Sequence, residues 1–336
     1  MVDGTALYKT SWYGTTSVNV KGRKVGAAFS FISTLRRFIN ERKTQRVIVF
    51  WDGESSREPR TRLYPDYKGT RKLKMSVGEE NEYRAQKIRT HQYLEELCIR
   101  QIVTSRCEAD DAIAYYVHQR RGKDRILVIT NDNDLLQLLG PDVEVTLLNK
   151  KDKGVIGHNT FKLHFGYDVH NHLLIKTICG DSTDNIKGVW GLASDKDRLL
   201  NLVPDLRRRP MSLDEVLTEC EKVVETKSAD GKTVSIAKNV ITGKSPDGVM
   251  GRELYEMNDK ITNLTDGTMI SDETKAEIDL HFESPLDTEN RSVRNLLAMM
   301  IEDGVTPLIN GGIEQWEPYV EPFLKVIRHE RKNNKD

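Results

Sequence analysis

The chain has 336 residues, 38% of them hydrophobic and 30% charged, with 51 lysines and arginines balanced by 51 aspartates and glutamates. That length supports one large domain or two ordinary ones, and a net charge of zero excludes a uniformly basic nucleic-acid-binding coat. No run approaches the ~20 apolar residues that span a bilayer, and "MVDGTALYKT" lacks a basic segment followed by an apolar one, so a cytoplasmic protein with no membrane partner is expected.

In chain order, Asp3 precedes a helix-like or turn segment. A helical stretch over about 25–42 leads to a strand, "RVIVFWD", at 46–52. Residues 57–74, "REPRTRLYPDYKGTRKLK", are strongly basic and carry Tyr64 and Tyr67 among the charges. Such a segment can track a phosphate backbone and stack on bases, or it is simply a solvated loop. A helix over about 78–98, a strand at 100–105 and a helix over 108–121 follow, then strands "RILVIT" (125–130) and "VEVTLL" (143–148). Strands separated by helices predict an α/β fold whose central, mostly parallel sheet is flanked by helices. Ligands in such sheets bind outside the carboxyl ends of the strands.

Beyond about residue 157 the pattern is mainly helical, which divides the chain into an α/β core at 1–157 and a helical region at 158–336. Residues around 228–250 read as a loop or hairpin insertion. The "TGKS" there is no phosphate loop, because Lys238 stands where that motif needs glycine. Cys98, Cys107, Cys179 and Cys220 form no C-x-x-C pair and are expected as reduced thiols in or near the core. His158, His164, His170 and His172 match no zinc spacing and read as a solvated helical surface.

The acids fall at the strand ends. Asp52 closes the strand 46–52, Glu108, Asp110 and Asp111 follow the strand 100–105, and Asp132 and Asp134 follow the strand 125–130. Either of the last two could merely cap a helix. Glu108 and Asp111 share a helix face at i and i+3, and Asp181 and Asp184 repeat that interval. Asp132 and Asp134, two apart in an extended exit, can point the same way. Gathered carboxylates raise one another's pKa unless cations neutralise them, and all-oxygen ligation favours Mg²⁺ or Mn²⁺ over Zn²⁺. Beside a basic aromatic segment, this points to metal-assisted phosphodiester hydrolysis, in which two ions about 3.5–4 Å apart activate water and stabilise the leaving oxygen.

Six stretches, in order, carry a resemblance: "VDG" (2–4), "FWDG" (50–53), "LYPDYKGTR" (63–71), "EADDAIA" (108–114), "TNDNDLLQL" (130–138) and "GDSTDNIKGVWGL" (180–192). The chain resembles the flap endonuclease, or 5′ nuclease, superfamily, and in length is similar to its stand-alone phage members, such as the ribonuclease H of T-even phages. The resemblance implies a PIN-like 5′ nuclease fold with a helix-hairpin-helix-like motif near 180–200. It implies 5′–3′ exonuclease and flap endonuclease action on DNA with 5′ flaps or ends and on RNA/DNA hybrids, removing RNA primers and 5′ flaps in DNA replication. Two Mg²⁺ ions, replaceable by Mn²⁺, are expected. Asp3, Asp52, Glu108, Asp110, Asp111 and Asp132 would surround the first, while Asp134, Asp181 and Asp184 reach toward the second.

By the same resemblance Lys68 and Arg71 lie by the scissile phosphate, with Arg60 upstream and Tyr67 stacking on a base. All four belong to an arch or lid at about 54–85. Gly188 and Gly191 mark a hairpin turn whose backbone holds duplex phosphates, with a possible monovalent cation. Two departures stand out. "ASDKD" (193–197) replaces a glycine-rich, basic continuation, and only Met1 and Val2 precede Asp3, where the family has a longer apolar strand. The basic end "KVIRHERKNNKD" reads as a solvated tail, or as a contact for DNA or replication proteins such as a single-strand-binding protein or clamp. A monomer is expected, in the host cytoplasm if phage-encoded. The alternatives are a PIN-type ribonuclease and a catalytically inactive fork-DNA-binding homologue.

Overall fold

The computed structural model describes the chain except for residues 16–18, 21–22, 71–74, 151–153, 227–229, 266–268 and 334–336. The first half contains β1 (Val2–Asp3), α1 (Gly4–Gly14), a hairpin of β2 (Asn19–Val20) and β3 (Arg23–Lys24), α2 (Gly26–Arg42) and β4 (Ile48–Asp52). It continues with α3 (Glu58–Leu63), α4 (Val77–Glu96), β5 (Arg100–Thr104), α5 (Ala109–Arg120), β6 (Ile126–Thr130), a 3₁₀ turn (Asn133–Leu138), β7 (Val143–Leu147) and β8 (Val155–Ile156). Six strands form one sheet in the order β5-β4-β1-β6-β7-β8. All neighbours run parallel except β8 against β7.

Both faces of this sheet are covered, which is why its strands are continuous apolar runs. Alternate residues of β4 serve opposite faces, as strand geometry requires. Ile48 and Phe50 join one apolar cluster, with Ile102, Val128 and Val145, whereas Val49 and Trp51 join the other, with Phe31, Leu35 and Tyr93. The strand order reverses around β1: the chain builds outward through β4 and β5 on one side, then crosses to β6 and β7 on the other. The crevice at such a reversal is where sheets of this kind hold ligands.

The two-residue β1 is a complete partner in the sheet despite its length. Val2 pairs with Val49 on one side and Ile129 on the other, and Asp3 pairs with Phe50. Two flanking strands thus hold in place what the short sequence could not form alone.

The second half contains α6 (His158–Phe165), α7 (His172–Cys179), a hairpin of β9 (Gly180–Asp181) and β10 (Ile186–Lys187), α8 (Lys196–Leu202) and α9 (Leu213–Glu225). After these come α10 (Gly231–Ile241), a hairpin of β11 (Lys244–Ser245) and β12 (Gly248–Val249), α11 (Arg252–Thr262), α12 (Asp272–Glu283), α13 (Val293–Glu302) and α14 (Trp316–Asn333). Both apolar clusters draw residues from either side of residue 157. α14 returns to α2, where Arg36 donates to the carbonyls of Tyr319 and Pro318 and Phe29 stacks on Tyr319. No helix among the described residues is long and apolar enough to cross a membrane.

Two expectations need correction. The stretch 228–250 does hold a short hairpin, β11–β12, but residues 231–241 are the helix α10, not loop: Asp230 caps it by accepting from Lys232 and Thr233, and Ala237 and Val240 bury an i, i+3 stripe. The polar first turn and Gly243 hid that stripe in the sequence. Nor is His172 on a solvated surface. It is buried, with Nδ1 bonded to the Tyr167 hydroxyl at 2.7 Å and Nε2 donating to the Asn133 carbonyl at 2.8 Å. Burial lowers its pKa to about 4, so the ring is a neutral brace beside Asp132. The four cysteines are free and buried.

Candidate active site

Three parallel strands and one helix deliver carboxylates to a single cavity. Asp3 ends β1 and caps α1, its Oδ1 accepting from the Ala6 N–H at 2.9 Å and its Oδ2 from the Thr130 hydroxyl at 2.9 Å. Asp52 ends β4 and accepts from the Ala109 N–H at 2.9 Å, which ties the strand to the start of α5. Glu108 caps α5, with Asp110 and Asp111 in its first turn. Asp132 caps the 3₁₀ turn after β6 by accepting from Asp134. Asp181 and Asp184 arrive on the β9–β10 hairpin and its loop.

A cavity of about 340 Å³ is lined by Asp3, Asp52, Glu108, Asp110, Asp132, Asp181 and Asp184, together with Lys9, Lys68, Lys176, Asn131 and Asn149. Two expected ligands do not line it. Asp111 is buried against Arg60, which grips it bidentately at 2.5 and 2.8 Å, and Asp134 pairs with Lys176. The carboxylate oxygens of Glu108, Asp110 and Asp111 nevertheless lie close enough together to share one ion.

The acids thus form two electrostatic sets. In one, protein cations do the neutralising. Burial would lift Glu108, but Lys68 and Arg60 outweigh it and hold its carboxyl below the usual range. Burial likewise opposes Asp181, and Lys176, at 2.7 Å, wins. In the other set, among the described residues, Asp3, Asp52, Asp110 and Asp132 make no ion pair with lysine or arginine. Burial and then Asp52 push Asp3 up to about 7, and burial and then Asp111 push Asp110 well above its ordinary value.

The lid residues are placed otherwise than their expected contacts with nucleic acid suggest. Arg60 is buried among Asp111, Glu108 and the Ile261 carbonyl. Tyr67 is buried too, its hydroxyl donating to Glu108 at 2.7 Å and lying 3.3 Å from Asp184, so its ring is not offered to a base in this arrangement. Lys68 reaches Glu108 Oε1 at 2.6 Å. Its φ of 53° lies in the left-handed region, which costs a non-glycine residue about 1–2 kcal/mol. Arg71 lies outside the described residues, as does part of the lid expected at 54–85.

Sequence reasoning missed Lys176, which bridges Asp134 and Asp181 from α7. Its one signal is a lysine four residues before the "GD" of 180–181, in a mostly apolar helix. At the hairpin expected to hold duplex, Gly188 is required by close approach, since a Cβ there would sit 2.1 Å from the Cys179 backbone. Gly191 has φ 95°, and the two residues that replace the expected glycine-rich continuation, Ala193 and Ser194, take φ 53° and 56°. Asp195 then caps α8. Two non-glycine residues thus hold left-handed backbone in succession, at a cost in strain.

The unpaired set offers only hard carboxylate oxygens, already oriented by backbone and hydroxyl donors, and the upward shifts of Asp3 and Asp110 are what a divalent cation relieves. These residues fit Mg²⁺ or Mn²⁺ and lack the nitrogen and sulfur donors that zinc favours. A carboxylate cavity at the switch point of a parallel sheet, walled by lysines, defines a site of the metal-dependent phosphodiesterase kind.

Comparison with known proteins gives the family. Residues 1–166 match the model of the 5′-3′ exonuclease N-terminal, resolvase-like domain. The chain is 27% identical over 244 residues to the 5′-3′ exonuclease of Mycoplasmopsis pulmonis, covering 72% of this chain and 79% of that one. It is 28% identical over 234 residues to DNA polymerase I of Caldicellulosiruptor bescii, a match spanning 66% of this chain and only 26% of the polymerase. Its fold is that of the bacteriophage T5 D15 protein co-crystallised with metal ions, with a TM-score of 0.60 at 21% identity over 89% of this chain and 97% of that one. A D15 flap endonuclease complex with DNA and metal ions aligns with a TM-score of 0.59 at 22% identity, covering 84% of this chain and 97% of that one. The N-terminal half of the chain belongs to the 5′–3′ exonuclease family.

Proposed function

We propose that this protein is a Mg²⁺-dependent, structure-specific 5′ nuclease that removes RNA primers and 5′ flaps in DNA replication, with both 5′–3′ exonuclease and flap endonuclease action. The observation that carries the reading is the cavity itself: seven acids converge there from separate elements, and among the described residues four of them, Asp3, Asp52, Asp110 and Asp132, form no ion pair with lysine or arginine. Carboxylates gathered this closely cost stability unless a cation neutralises them.

In this reading Asp3, Asp52, Asp110 and Asp132 hold ions directly or through water, Glu108 joins them, and Asp181 and Asp184 serve a second position. Asp111 and Asp134 act from behind, steadying Arg60 and Lys176. A bound divalent ion supplies Lewis acidity and an activated water. The chain's own contribution is to fix carboxylate geometry through Ala6, Thr130 and Ala109, and to place ammonium groups of Lys68 and Lys176 where charge develops on phosphate oxygens. Arg71 joins them on the strength of the resemblance alone. Residues 1–157 then carry the nuclease core and 158–336 the duplex-binding region, with the 188–195 turn taking phosphates and a monovalent cation. Action as a monomer and contacts with replication proteins complete the proposal.

The test is cleavage of a 5′-end-labelled flap duplex in Mg²⁺, beside a hybrid with a 5′ RNA primer. Cleavage near the flap junction, abolished by chelation, is expected. Binding of both substrates without cleavage of either would leave a fork-binding protein instead.

A further inference from the structure

The segment from Arg60 to Gly69 lies against the very carboxylates that a divalent ion needs. Glu108 is saturated by it: Oε1 accepts from the Lys68 ammonium at 2.6 Å, and Oε2 accepts from the Tyr67 hydroxyl at 2.7 Å and from Arg60 at 3.2 Å. Lys68 also lies 3.7 Å from the Asp184 carboxylate, and its backbone N–H donates to the Asp184 carbonyl at 2.8 Å. Asn185 fastens the same turn by donating to the Asp66 carbonyl at 2.9 Å. Arg60 is anchored independently, on Asp111 and the Ile261 carbonyl. α3 is thus held by contacts that residues 64–69 do not supply.

A buried ammonium at 2.6 Å uses the lone pairs that a metal ion would take, and two cations sharing one carboxylate repel strongly where water is scarce. We propose that Lys68 and a divalent ion exclude one another at Glu108, so that ion loading displaces Lys68 and releases residues 64–69 as a latch, freeing the ammonium for the phosphate. The left-handed backbone of Lys68 favours release, because strain at such a position persists only while surrounding contacts enforce it. Without ions the latch keeps Glu108 neutralised. With ions the same lysine becomes available to substrate, which couples metal loading to readiness for DNA. The inference rests on the nuclease reading for the identity of the ion.

The test uses Mn²⁺ and the full chain without nucleic acid. Free Mn²⁺ is followed by electron paramagnetic resonance for the natural protein, Lys68→Met, Lys68→Arg, and Lys68→Met combined with Glu108→Gln. Lys68→Met should bind Mn²⁺ about tenfold tighter, the gain expected if about nine molecules in ten carry the latch. Lys68→Arg should show no such gain, and the double variant should lose it. Removing any nearby positive charge could also tighten binding, so hydrogen exchange over residues 64–69 of the natural protein decides the point. Mn²⁺ should speed it, whereas unchanged or slowed exchange overturns the latch. That measurement needs no variant and stands even if Lys68→Met does not fold. Equal Mn²⁺ binding by the natural protein and a folded Lys68→Met overturns the latch while leaving the nuclease reading intact. No Mn²⁺ binding by any of the proteins removes both.

Discussion

The acids at the end of the sheet divide into two regions that look alike in sequence and behave oppositely in the fold. Asp111, Asp134, Asp181 and Glu108 are tied to Arg60, Lys176 and Lys68. Asp3, Asp52, Asp110 and Asp132 face the cavity with backbone N–H donors, and a hydroxyl for Asp3, in place of cations, and Asp3 and Asp110 are driven up by burial. Asp111 and Asp134, off the cavity, are scaffold, so removing their partners strands a charge, whereas Glu108 and Asp181 are paired and still line it. The unpaired acids carry a cost in stability that, on the function proposed above, a bound ion would offset. Identical side chains thus serve opposite ends according to whether a cation was built beside them.

The sharpest way to break this contrast is Arg60→Ala. It leaves Asp111 and Glu108 buried without their guanidinium, and the stability loss in urea unfolding should be about 3–5 kcal/mol. Asp132→Asn should do the reverse, lowering flap cleavage by ~10²–10³-fold, a loss of the order seen when one group stabilising transition-state charge is removed, while unfolding at the same urea concentration or a higher one. If Asp132→Asn unfolds sooner than the natural protein, the two-set division fails.

The pH dependence sharpens the same point. Asp3 has a folded-state pKa raised to about 7 from an ordinary value near 4, so between those limits the folded protein holds a proton that the unfolded chain has lost. For this group stability is highest below about pH 4 and falls as pH rises toward 7. Measured without divalent ions, Asp3→Asn should flatten that part of the profile. At pH 8, Mg²⁺ at about a hundred times its dissociation constant should restore about 2.7 kcal/mol. An unaltered melting curve would mean that no ion binds the folded state preferentially.

The smallest effect lies at the hairpin. Ala193→Gly relieves a left-handed alanine, and after the extra entropy lost by glycine the gain should be no more than about 1 kcal/mol in thermal unfolding. A loss would mean that the turn at 188–195 owes its conformation to something other than backbone preference.

Much of the core was legible in the sequence because it obeys local rules. The strands expected at 46–52, 100–105, 125–130 and 143–148 occur at Ile48–Asp52, Arg100–Thr104, Ile126–Thr130 and Val143–Leu147, and the helix expected over 25–42 runs Gly26–Arg42. Apolar runs bounded by polar residues report their own period. The placement of acids at strand ends was readable for the same reason, since a parallel sheet sends its carboxyl ends to one side. Where local signals were weak the reading failed, as with α10, whose first turn is polar. The exact extent of β1 could not be read at all, because two residues have no period and this strand exists through its neighbours.

The sequence by itself therefore determined the sheet, the helices beside it and the gathering of carboxylates at one edge, all consequences of patterns within a few residues. Which acids would be paired was settled only in three dimensions. Arg60 meets Asp111 across 51 positions and Lys176 meets Asp134 across 42, and no local spacing encodes such meetings. The turn that buries Lys68 on Glu108 is of the same kind, because contact between distant charges depends on how helices and loops stack, and stacking depends on the whole core.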